Sequence, residues 1–170
     1  MAYIDLFFAD ETGFGLSPNI PYGWQPIGEQ GEFPTQHKHV LNVFGLMSLD
    51  NRLRAYHTED YIDSTYIIQC IDDFVLTIKK PTVIIWDNAP WHTAKAIQDK
   101  RREWEEKGLY LFYQPKYSPH LNREEILWRK VKYEWLRPKH YKSAKTLKKA
   151  VLGILAAFGS EYVINFSMNF

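Results

Sequence analysis

The sequence predicts an α/β domain, a mixed five-stranded sheet flanked by helices. Three observations carry this. Short β-branched and aromatic runs alternate with segments of helical periodicity. Two of the runs are joined by a tight Asp-Asn turn, which makes them an antiparallel pair. One run is apolar throughout, as in a strand covered on both faces. The chain has 170 residues, 45% hydrophobic and 24% charged, which suits one globular domain with a substantial core.

Tyr3 to Ala9 reads as the first strand, with Asp10 at its end. Gly13, Gly15, Pro18, Pro21, Gly23, Pro26 and Gly28 then punctuate a long loop. Val40–Leu49 and Arg52–His57 form a hairpin about Asp50-Asn51. Ile62, Tyr66, Ile67, Ile71, Phe74, Val75 and Ile78 recur at helical spacing, so residues 60–79 read as an amphipathic helix that Pro81 stops. Thr82–Trp86 is the apolar strand, and Asp87 ends it. A helix over 92–106, a strand over Leu109–Tyr113, a rigid loop from Pro115 to Pro119, a helix from Asn122 through Trp135 and another near 143–158 complete the chain. No repeat, linker or low-complexity segment interrupts residues 1–170, so a single domain is expected.

The composition excludes several classes. Cys70 is the lone cysteine, which rules out an internal disulfide framework and fits a reducing cytoplasm. No stretch approaches the ~18 apolar residues of a membrane span, and Met1–Asp5 carries no basic leader. The net charge of +1 hides an asymmetry: residues 1–90 hold five basic and twelve acidic residues, residues 91–170 sixteen and eight. Residues 123–149 alone hold ten basic against three acidic, which suits either a polyanion partner or a solvated helical surface.

Asp10 and Asp87 each end a buried strand, and ligand crevices of open α/β sheets form at such ends. If the two strands are neighbours, both carboxylates share one rim and offer hard oxygens to Mg²⁺ or Mn²⁺. A third carboxylate from a helix over the rim would complete a two-metal site, its ions ~3.5–4 Å apart, for in-line phosphoryl displacement. The competing reading is that each aspartate caps the turn that follows it. On the helix opened by Asn122-Arg123-Glu124-Glu125, Glu125 falls at the edge of the apolar arc beside Lys132 and is the better ligand candidate. Glu124 falls near the arc's centre, an anomaly for a carboxylate. Asn122 with Glu125 three residues on also fits a capping box.

Ala9-Asp10-Glu11-Thr12-Gly13-Phe14, the Gly23-Trp24 and Gly28 loop, Trp86-Asp87-Asn88 with His92, and Tyr117-Ser118-Pro119 through Leu121-Asn122, Glu125 and Trp128 together resemble the catalytic domain of bacterial insertion-sequence transposases related to mariner elements. The resemblance spans roughly residues 4–136 and implies a ribonuclease-H-like, retroviral-integrase-like fold. It implies an Asp-Asp-Glu triad of Asp10, Asp87 and Glu125 holding two divalent metals, Mg²⁺ or Mn²⁺. It further implies hydrolysis of double-stranded DNA at element ends and attack of the freed 3′-hydroxyl on target DNA, in the bacterial cytoplasm at the nucleoid.

Two features depart from the family pattern: Asn122-Arg123-Glu124-Glu125 replaces the usual Asn-Pro-Ile-Glu, and His120 replaces a common Glu. The helix-turn-helix recognition domains that usually precede the catalytic domain are missing, so an isolated module, a split reading frame with a partner chain, or a truncated copy is expected. The family pattern also implies homodimers on DNA. Asn88, His92 and Asn122 are candidates to orient the triad or touch phosphate, or else plain turn and cap residues. Arg129, Lys130, Lys132, Arg137, Lys139, Lys142 and Lys145 are candidate phosphate contacts, and Trp24 a candidate contact to DNA or a partner subunit. Trp86, Trp91, Trp104, Trp128 and Trp135 read as core. A ribonuclease-H-like nuclease without strand transfer, and a degenerate copy that only binds DNA, remain the alternative functions.

Overall fold

A computed structural model describes residues 3–17, 38–87, 95–115 and 122–166. The elements are β1 (Asp5–Gly15), β2 (His39–Met47), β3 (Leu53–Thr58), α1 (Ser64–Val75), β4 (Thr82–Trp86), α2 (Lys95–Glu106), β5 (Leu109–Tyr113), α3 (Glu124–Lys130) and α4 (Ala144–Ala156). A π turn, Val131–Trp135, and a 3₁₀ segment, Pro138–Lys142, lie between α3 and α4. The sheet order is β3-β2-β1-β4-β5. The β1–β2–β3 meander is antiparallel, while β4 and β5 add in parallel with β1. The mixed five-stranded sheet expected from the sequence is therefore present.

Strand alternation sends side chains to two cores. Phe7, Ala9, Phe44, Leu46, Ile84, Trp86 and Leu111 face α1 and α2, where Ile67, Ile71, Ile97 and Trp104 complete a buried layer. Phe7 meets Phe74 edge to face at 5.0 Å. Phe14, Leu41, Val43 and Met47 face the other way, against Leu127, Trp128 and Val131 and against Leu147, Val151 and Ile154 of α4. Trp86, Trp104 and Trp128 are buried and Trp135 is packed against the second core, as expected of core tryptophans. Trp91 lies outside the described residues.

Three expectations need correction. β1 does not end before Asp10 but continues to Gly15, because its antiparallel ladder with β2 runs past the end of β4. The glycines at 13 and 15 thus belong to a strand rather than to a loop. β4 is not covered on both faces: Thr82, Ile84 and Trp86 are buried while Val83 and Ile85 are half-buried. The helix expected through Trp135 is α-helical only to Lys130. There the ladder widens, and the Leu136 N–H donates to the Val131 carbonyl five residues back at 3.0 Å.

Local signals explain the other boundaries. Asp63 caps α1 by accepting from the Tyr66 N–H at 2.8 Å, and Ser143 caps α4 by accepting from the Thr146 N–H at 3.1 Å. Asn51 turns the β2–β3 hairpin with φ 61°. Its side chain accepts from the Ile164 N–H at 2.7 Å and donates to the Ile164 carbonyl at 3.0 Å, which clasps the C-terminal segment to the hairpin. Gly159, with φ 86°, lies against the Asn51 carbonyl with no room for a Cβ.

Candidate active site

The parallel register pairs Phe8 with Ile85 and Ala9 with Trp86, so Asp10 and Asp87 follow on adjacent strands at the level where β4 stops. Alternation directs Asp10 away from the α1/α2 core, toward α3. On its other side Asp10 pairs with Gly45 of β2. One line across the sheet therefore reads Gly45, Asp10, Asp87.

Helix α3 lies over this line, and Asn122 sets its start. The Asn122 amide donates to the Ala9 carbonyl at 3.0 Å, and its oxygen accepts from the Glu124 N–H at 3.1 Å. Asn122 is only 3% exposed, so both bonds are sheltered from water. The side chain thus fastens the first turn of α3 to the residue before Asp10. The expected capping box does not form: Asn122 accepts from the Glu124 N–H rather than that of Glu125, and Arg123, the residue just before α3, makes no side-chain cap bond.

The two glutamates of α3 have opposite environments. Glu124 is 0% exposed, and neither carboxylate oxygen makes a hydrogen bond of good geometry, the Asp10 backbone being a polar neighbour. It lies directly over Gly45, where a Cβ would overlap its Oε1 and stand 2.9 Å from Trp128 Cζ2. Burial drives its pKa well above the ordinary glutamate value, and the Asp10 and Glu11 charges push the same way, while the Asp10 backbone offsets a little. Glu125 is exposed. Loss of hydration, and then the charge of Asp87, raise its pKa.

Asp10 lies at the centre of this field. Its pKa is pushed up to about 7, chiefly by burial, then by Glu11, Asp87 and Glu125. The Glu11 N–H, donating to Asp10 Oδ1 at 2.9 Å, works in the opposite direction. Lys132 approaches from the π turn: its ammonium lies 5.4 Å from the Phe14 ring centroid. Partial burial lowers the Lys132 pKa, and the nearby Asp10 charge partly restores it.

As a donor set, Asp10, Asp87 and Glu125 fit a hard divalent cation, because they are oxygen ligands whose mutual repulsion a cation would relieve. Among the described residues, no three acidic, histidine or cysteine side chains already stand close enough to enclose an ion.

The sequence pattern of the DDE superfamily endonucleases matches residues 5–148. The chain belongs to this family.

Three solved structures similar to this DDE-family chain show the same ribonuclease-H-like fold. The Mos1 transposase paired-end complex with the left transposon end aligns over 90% of this chain and 48% of its own, at 15% identity and a TM-score of 0.64. The mariner Mos1 paired-end complex with Mg aligns over the same shares at 15% identity and a TM-score of 0.61. The catalytic domain of Mos1 mariner transposase aligns over 90% of this chain and 70% of its own, at 14% identity and a TM-score of 0.57. The chain thus spans about half the length of the Mos1 chains in the paired-end complexes. No curated protein sequence matches it.

Of the other residues singled out in this DDE-family sequence, Trp24, Asn88 and His92 lie outside the described residues. Lys130 is tied to Glu134 at 2.7 Å. Arg129, Arg137, Lys139, Lys142 and Lys145 are exposed, and no acidic partner holds them among the described residues. The contrast with α2 is sharp, where Lys100, Arg101 and Arg102 all pair with glutamates of the same helix. Sequence reading missed Gly45. Its signal was available: a glycine inside an otherwise apolar strand marks a close approach by another group.

Proposed function

We propose that this chain is the catalytic domain of a metal-dependent DNA transposase in which Asp10, Asp87 and Glu125 hold two divalent cations, Mg²⁺ or Mn²⁺. The observation that carries this reading is the parallel β1–β4 register, which sets Asp10 beside Asp87 beneath the helix bearing Glu125. The raised Asp10 and Glu125 pKa values support it: burial first, and neighbouring carboxylates after it, disfavour their charged forms, and a bound cation would favour them. The family membership and the Mos1 complex with Mg favour the same chemistry.

When bound, such a cation pair activates the attacking oxygen and steadies the leaving oxygen of a phosphodiester. The chain's own residues do the positioning. Asp10 and Asp87 fix one rim, and Asn122 holds α3 so that Glu125 closes over it. Lys132, beside Asp10, supplies a positive charge for a non-bridging phosphate oxygen. Lys139, Lys142 and Lys145, with Arg129 and Arg137, steer the backbone of double-stranded DNA at element ends and targets; Asn88 and His92 orient the triad or touch phosphate, and Trp24 contacts DNA or a partner subunit. Glu124, where the family usually has an apolar residue, shapes the floor over Gly45 and is not a ligand. End recognition belongs to a helix-turn-helix domain or partner chain, and the working assembly is a homodimer on DNA. No helix among the described residues is long and apolar enough to cross a membrane. The proposed place of action is the bacterial nucleoid in the cytoplasm.

The test is Mn²⁺-dependent nicking of supercoiled plasmid and joining of a 3′-hydroxyl oligonucleotide to it. Asp10→Asn, Asp87→Asn and Glu125→Gln are each expected to lower both activities at least 100-fold, while Glu124→Gln retains them. Nicking without joining would favour the plain nuclease. Unchanged activity in Asp87→Asn would refute the assignment.

A further inference from the structure

The segment between β3 and α1 is pinned on both sides of Tyr61. The Asn42 amide donates to the Asp60 carbonyl at 2.8 Å, and the Asp60 N–H donates to Thr58 Oγ1 at 3.0 Å. Asp63, two residues on, is fixed as the cap of α1. Yet Tyr61 is 94% exposed. A fixed backbone therefore presents a whole aromatic ring to water, at a hydrophobic cost that nothing within the described residues recovers.

Its location gives the ring a use. Tyr61 and Ile62 line a groove of about 320 Å³ that also contains Asp10, Thr12, Asn42 and Asp87. That volume lies at the small end of the ~300–1,000 Å³ range of ligand clefts, enough for one nucleotide. The groove's lining joins two chemistries: the carboxylates Asp10, Glu11 and Asp87, of which Asp10 and Asp87 would take a phosphodiester through cations, and the aromatic Tyr61 with its aliphatic neighbour Ile62. A nucleotide has this pairing, a phosphate at one end and a base with two π faces at the other.

We propose that Tyr61 is a nucleobase platform: an unpaired base next to the phosphodiester held at Asp10 and Asp87 stacks on the Tyr61 ring. The inference rests on the transposase reading above and deepens it by naming the substrate feature, a base outside the double helix. Paired bases are already stacked and gain nothing from the ring. The unpaired base comes either from the strand being cut or from the target strand; its chemistry is the same.

Binding of the full chain to 2-aminopurine oligonucleotides tests this with Ca²⁺ as the cation, a hard ion that takes the same oxygen ligands but is a poor substitute in cleavage, so that Asp10 and Asp87 are present and the DNA stays intact. One arm places an unpaired 2-aminopurine beside a nick, as in a cleaved end; the other places it as a mismatch within an unbroken duplex, as in a target. In the arm that supplies the base, fluorescence is quenched on binding. Tyr61→Ala abolishes the quenching and weakens that complex about 5- to 150-fold, the worth of one stacked base. Tyr61→Phe and Tyr61→Trp restore both, and the affinity for fully paired duplex changes less than about twofold throughout. Because the side chain is exposed, the variants should melt with the parent. Equal binding and quenching by Tyr61→Ala would overturn the platform while leaving the transposase reading intact. Absence of DNA binding by the parent itself would overturn both.

Discussion

Glu124→Leu is expected to stabilise the metal-free protein. The native side chain is wholly buried, and neither of its oxygens makes a hydrogen bond of good geometry. An unsatisfied buried polar group costs about 1–3 kcal/mol, and leucine replaces it with apolar atoms of similar reach next to Trp128 and over a glycine that offers no Cβ. A net gain of about 2 kcal/mol follows, or about 4–8 °C in Tm for a chain of this size. The pH dependence gives a second readout. Glu124 has a folded-state pKa well above its ordinary 4.5. The folded state therefore holds this proton more tightly than the unfolded state. The group's stabilising contribution is full below pH ~4.5 and is lost as pH rises through the window above it. The advantage of leucine is thus largest at pH 7.5 and smaller at pH 5. Calorimetric melts in EDTA at both pH values measure it. A lower Tm than wild type at pH 7.5, or an advantage that grows on acidification, would show that Glu124 is a stabilising, partnered carboxylate and that the site floor has been misread.

Asn122→Ala, which removes the bonds to the Ala9 carbonyl and the Glu124 N–H, should lower stability in urea by about 1–3 kcal/mol; Asn122→Asp, which keeps only the acceptor, should fall between. Gly45→Ala drives a methyl into Glu124 Oε1 and should destabilise by about 1–3 kcal/mol. Most of that loss should vanish in a Glu124→Ala background, and equal losses in both backgrounds would place Glu124 elsewhere. Lys139→Ala, Lys142→Ala and Lys145→Ala together should reduce the salt slope of DNA binding by about 0.9 for each phosphate contact removed. Arg102→Ala, whose partner is Glu106, should leave the slope unchanged; identical slopes for both variants would rule out a phosphate-binding role for these lysines.

Much of this architecture could be read from local pattern. The β4 run, the α1 periodicity and the Asp50-Asn51 turn each correspond to an observed element, because neighbours in sequence decide them. The 100° helical count placed Glu124 toward apolar neighbours, and the side chain is indeed buried. The extent of β1 was not legible, since Gly13 and Gly15 look like loop residues and only pairing with β2 holds them extended. The π turn was also invisible. The Leu127–Trp135 pattern suits a regular α-helix, and the widened turn arises where that helix meets the sheet and α4. At the site, the sequence made Asp10 and Asp87 neighbours only on condition that β1 and β4 pair, which is a long-range fact. Tyr61 carries no local signal at all: a tyrosine between Asp60 and Ile62 is unremarkable until the groove beside it is seen.

The Asn51 clasp changes where this module ends as a heritable and transferable unit. The family pattern stops at residue 148, inside α4, yet Val151, Ile154, Phe158 and Ile164 all lie in the same core as Trp128. Asn51 grips the Ile164 backbone as an added strand would, from 113 positions away. Recombination or domain grafting that cuts at the edge of sequence similarity would leave the hairpin holding nothing and uncover the layer beneath α3. A seam placed after Ile164 carries the clasp along with the catalytic face, so the portable unit is longer than its recognisable sequence.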